Sequence, residues 1–73
     1  MELDNELMGA WAWFSTNMDK WTDDTPLTAG LMTAIQGVEG PSGPHREPHW
    51  QWVRDNREDL LALHAFLTKP VQP

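Results

Sequence analysis

His45, Glu47, His49 and His64 are the side chains whose types would suit a metal ion, because neutral imidazole and carboxylate both ligate divalent cations. In the run HREPH the two histidines stand four residues apart and would share one side of a continuous helix. Pro48 lies directly before His49, so His45 falls ahead of any helix that starts there. The run also lacks the HExxH order of zinc proteases. It reads as two loop histidines, with a separate, partly buried His64 whose hydrogen bonding is satisfied. No metal or other cofactor is expected. Protonation of all three imidazoles below about pH 6 would halve the net charge and give mild pH sensitivity.

Nucleophilic catalysis has little to work with. Ser15 and Ser42 are the only serines, and tyrosine and cysteine are absent. Neither serine sits in a nucleophile-elbow pattern. Asp23 and Asp24 are adjacent carboxylates, but a turn between helices leaves them hydrated rather than tuned by burial. The glycines of GVEGPSG are interrupted by proline and lack the following Lys-Ser/Thr of a phosphate cradle. So small a chain also has little volume for an enclosed pocket. The expectation is a protein that is not an enzyme.

Arg54 and Arg57, near Trp50 and with Arg46 just upstream, could contact phosphate and stack on a base. Eleven acids against five bases give a net charge of −6 and a pI near 4.7, which repels a polyanion. Direct binding of free nucleic acid is therefore not expected. Ion pairs from these arginines to Glu58, Asp59 or the acids of the first helix are the simpler reading. The acids are unevenly spread: residues 1–40 hold seven of them and one base, whereas residues 41–73 hold four of each. Such a field keeps a Trp-rich chain in solution or docks onto a basic surface, where attraction speeds association.

Three helical segments must position these groups. Leu3, Leu7, Trp11, Phe14, Met18 and Trp21 recur at steps of three and four, which predicts an amphipathic helix from Asp4 to Thr22. Asp4 or Asn5 can cap it. Thr25 suits an N-cap and Pro26 a first helical position. Leu27, Leu31, Ala34, Ile35 and Val38 then line a second helix, which Gly37 should stop. Gly30 weakens that helix but permits another backbone to approach closely. Three glycines and three prolines in GVEGPSGPHREP make residues 37–48 a loop. The last helix runs from Pro48 to Lys69, with Val53, Leu60, Leu63, His64 and Leu67 on one face. Asp55 and Glu58 resemble a capping box at which it restarts after a kink.

The fold expected is all-α: a small three-helix bundle with a Gly/Pro-rich loop before the last helix. An α+β arrangement with a short hairpin near Trp50–Val53 is the alternative. Residues 1–69 form a single helical domain and residues 70–73 an extended tail. No stretch is long and apolar enough to cross a membrane, and no basic export signal follows Met1. Without cysteine there is no disulfide or thiolate site. The cytoplasm of a bacterial or infected bacterial cell is the expected location.

Seven large aromatic side chains, five of them tryptophan, each bury roughly 150–250 Å² when enclosed. A chain of this size buries only about 60% of its unfolded surface, so some aromatic surface should remain for a partner. Trp13 lies off the first helical stripe, and Trp50 and Trp52 flank opposite sides of the last one. Trp and Arg often dominate interfaces. His45, Arg46, Glu47, His49, Trp50, Trp52, Arg54 and Arg57 are thus the best contiguous candidate surface, joined by Trp13 and by Asp23 and Asp24. The expectation is a small acidic regulator or inhibitor of the size and composition seen among phage-encoded proteins. It would bind and modulate a host nucleic-acid machine such as RNA polymerase, as a monomer on a larger protein with a basic surface. Alternatives are a self-associating assembly subunit and an acidic mimic that inhibits a host defence nuclease.

Overall fold

Four α-helices, rather than three, organise the described residues. The computed structural model describes residues 3–39 and 47–69. Helix α1 spans Asn5–Thr16, α2 Pro26–Glu39, α3 Glu47–Asp55 and α4 Arg57–Thr68, with a 3-10 turn at Met18–Lys20 after α1. No strand occurs among the described residues, and the segment around Trp50–Val53 is helical, so the hairpin alternative does not hold. The proposed tail at residues 70–73 lies outside the described residues.

The first helix begins where its cap predicts: Asp4 Oδ1 accepts the Leu7 N–H at 2.8 Å. It ends six residues before Thr22, because Ser15-Thr16-Asn17 offers the backbone local partners. The hydroxyls of Ser15 and Thr16 donate to the Ala12 carbonyl at 3.1 and 2.8 Å, and Asn17 Nδ2 donates to the Trp13 carbonyl at 2.9 Å. Such bonds compete with helix propagation. The chain then folds back, and Trp21 Nε1 donates to the Phe14 carbonyl at 3.1 Å. That satisfies one of the acceptors a helix end leaves over, while the ring packs edge-on to Phe14 at 5.8 Å.

Helix α2 opens on a reciprocal threonine cap. Thr28 N–H donates to Thr25 Oγ1 and Thr25 N–H to Thr28 Oγ1, both at 3.1 Å. Thr28 thus plays the part that Glu or Gln takes in a capping box. The helix passes through Gly37 and continues to Glu39, so that glycine does not stop it. The last predicted helix divides at Asn56, whose backbone N–H and Nδ2 both donate to the Trp52 carbonyl, at 3.1 and 2.8 Å. Asp55 is not the cap: its Oδ1 accepts from Gln51 Nε2 at 2.8 Å.

Helix α1 runs parallel to α4, as Arg57 meets Asp4 and Glu6 at one end while His64 meets Trp13 and Phe14 farther along. Helix α2 runs antiparallel to α3, with Trp52 against Gly30 and His49 against Gly37. Leu7, Ala10, Phe14, Trp21, Leu31, Ala34, Ile35, Val53 and Leu60 form the buried core. No helix among the described residues is long and apolar enough to cross a membrane.

Candidate functional site

Trp50 and Trp52 stand two residues apart on α3, so their side chains leave the helix on nearly opposite flanks. Each flank meets a different neighbour. The Trp50 ring lies 4.9 Å from that of Trp11 on α1, tilted by 56°. Trp52 reaches α2 at Gly30, where an added Cβ would stand 2.9 Å from its Cε2. The close approach at Gly30 is therefore made by an indole and not by a backbone. Trp13, predicted to stand apart, packs edge-on to Phe14 and His64 at 5.6 and 5.5 Å. Trp21 is buried, and Trp11, Trp13, Trp50 and Trp52 are half-buried against the core. Aromatic surface does remain, but Phe66 supplies it, 74% exposed.

The arginines are held just as firmly. Arg54 Nη2 pairs with Glu47 Oε1 and also donates to Gln51 Oε1 at 2.9 Å. Arg57 Nε donates to Asp4 Oδ2 at 2.8 Å and its Nη2 to Glu6 Oε1 at 3.0 Å, tying α4 to α1. These are the ion pairs to first-helix acids that the sequence suggested. The Leu7 N–H and then Arg57 hold the Asp4 carboxyl below the usual range. The hydrogen bond from Arg54 does the same for Glu47, and Asp4 raises Arg57. Arg54 through Asp59 line a groove of about 360 Å³ at the α3–α4 corner. Its walls carry both signs of charge.

The rest of the predicted surface is dispersed. Glu47 and Trp50 remain near one another on α3, whereas Trp13 sits in the α1–α4 contact and Asp23 and Asp24 lie exposed before α2. His45 and Arg46 lie outside the described residues. His49 presses its ring on Gly37, with Cε1 only 2.6 Å from where a Cβ would be, and His64 is half-buried among aromatic rings rather than held by a ring hydrogen bond among the described residues. No three His, Asp or Glu side chains among the described residues gather as a metal-ligand set.

The exposure of Phe66 was missed from sequence. Phe66 reads as a flank residue of the last helix, but on α4 it stands 74% exposed. The carboxylates Asp19, Asp23, Asp24, Glu58 and Asp59 are all exposed and enter no ion pair among the described residues. Both described arginines are already paired, Arg54 with Glu47 and Arg57 with Asp4 and Glu6. Comparison with protein-family models, curated proteins and solved structures finds no match to this chain.

Proposed function

We propose that the protein is a non-enzymatic regulator that occupies a basic surface on a larger protein, of the kind phage-type proteins use against a host nucleic-acid machine such as RNA polymerase. The observation that carries this reading is the pairing of Arg54 and Arg57 within the fold, which leaves the exposed carboxylates Asp19, Asp23 and Asp24 unopposed around the α1–α2 connection. Lys20 is the one base in that stretch. A surface of this sign is attracted to the grooves through which nucleic acid enters such machines.

The test is binding to purified bacterial RNA polymerase, followed as a function of salt and of competing duplex DNA. Binding should weaken steeply with salt, compete with DNA, and fall at least tenfold in the triple variant Asp19→Asn/Asp23→Asn/Asp24→Asn. Those positions are exposed, so the variant should melt as the parent does. Absence of binding, or binding indifferent to salt and to the triple variant, would reject the proposal.

A further inference from the structure

The outward face of α4 carries a regular stripe of exposed residues. Asp59, Ala62, Phe66 and Lys69 recur at steps of three, four and three, and all four are exposed. Opposite them, Leu60 is 1% exposed and faces the core. Along this stripe an acid stands near the start, a small residue and a large ring in the middle, and a base just past the end. Neither Asp59 nor Lys69 enters an ion pair among the described residues.

We infer that two copies of the chain pair antiparallel along this face of α4. The positions sum equally about a two-fold axis between Ala62 and Phe66. The ring of Phe66 then covers Ala62 of the other copy, and Lys69 faces its Asp59. A parallel pairing would stack Phe66 on Phe66 and set like charges opposite each other. The antiparallel arrangement is therefore the self-complementary one, as a two-fold interface requires. Spacing of three and four along the seam is that of helices packed side by side. Glu58, exposed beside Asp59, adds attraction for the same lysine.

The pairing is weak by construction. One face of a three-turn helix buries less than the roughly 800 Å² per partner of a stable interface, and a charge of −6 on each copy opposes approach. Dimers should therefore form reversibly in the high micromolar range. This inference is independent of the proposed regulatory role, and its test needs no other macromolecule.

Sedimentation equilibrium of the full chain at rising concentration should show the mass climbing from 8.4 kDa toward twice that value. Phe66→Ser should keep it monomeric throughout, with circular dichroism unchanged because the ring is exposed. Asp59→Lys should weaken association at least several-fold even though it lowers the net charge, and Lys69→Asp should do likewise. The double exchange Asp59→Lys/Lys69→Asp has the parent's net charge and should restore dimers. A mass fixed at 8.4 kDa up to the solubility limit would overturn the inference. So would dimers that survive Phe66→Ser, or a double exchange that stays monomeric.

Discussion

The indole of Trp52 fills the space in which a side chain on Gly30 would begin: a Cβ there would meet Cε2 at 2.9 Å and lie closer still to Cζ2. Glycine at this point of α2 costs about 1 kcal/mol of helix propensity and gains the contact through which α3 seats. Gly30→Ala recovers the propensity but overpacks the contact, at about 1–3 kcal/mol. The expected result is a melting temperature lower by roughly 5–10 °C for a chain of this size. Gly9 is the control. Nothing lies within 4 Å of its would-be Cβ, so Gly9→Ala should stabilise by about 0.5–1 kcal/mol. Thermal denaturation of both variants checks the opposite signs.

Trp21→Phe keeps a ring in the core but removes the N–H that serves the Phe14 carbonyl. A buried acceptor loses its partner and a small void opens, for a combined loss of about 2–3 kcal/mol. Urea denaturation should show a lower midpoint at unchanged slope. Hydrogen exchange should quicken first over Met18–Lys20, the turn that this bond anchors.

Thr28→Val retains the shape of a buried side chain, 7% exposed, and deletes the hydroxyl that accepts from Thr25 N–H. A loss of about 1–2 kcal/mol is expected. Thr28→Ser keeps the hydroxyl and should recover most of it. The two melting curves separate the cap from the packing of the methyl group.

Acid should unfold the protein partly through Asp4. Its folded carboxyl lies below the usual carboxylate value, so its contribution is fully present above about pH 4 and is lost as pH falls through the lower folded value. Glu47 acts in the same direction and window. Arg57 is shifted upward, so its contribution persists across all ordinary pH. Asp4→Asn still caps α1 but no longer offers a charge to Arg57. The stability of this variant should decline less steeply below pH 4 than that of the parent, measured by denaturation at stepped pH.

Much of the helical content was legible because it rests on local chemistry. Leu7, Ala10 and Phe14 mark the inward face of α1, and Thr25-Pro26 opens α2 by a cap whose partners lie within one turn. The misplaced boundaries had a common cause: the deciding bonds come from side chains acting on the backbone. Asn17 and Asn56 each donate to a carbonyl four residues back, which ends a helix that hydrophobic periodicity alone continues. Gly37 reads as a stop by residue type, but it is the seat for His49, a contact across a loop that no local pattern reveals. The pairing of Arg57 with first-helix acids was legible from charge alone, whereas the contacts of Trp50 and Trp52 and the Glu47 partner of Arg54 were not. Trp11 and Gly30, which meet those two indoles, lie on other helices, and spacing within one segment cannot show that.

The parallel pairing of α1 with α4 joins residues 53 and 51 positions apart in the chain. During synthesis α1 emerges well before α4, so the side of Trp13 and Phe14 that packs on His64 stays uncovered until α4 follows. The α1–α4 contact therefore closes only after α4 has emerged. In that interval the surface of α1 that α4 will cover is open to other contacts, which makes the nascent chain more vulnerable than the finished one.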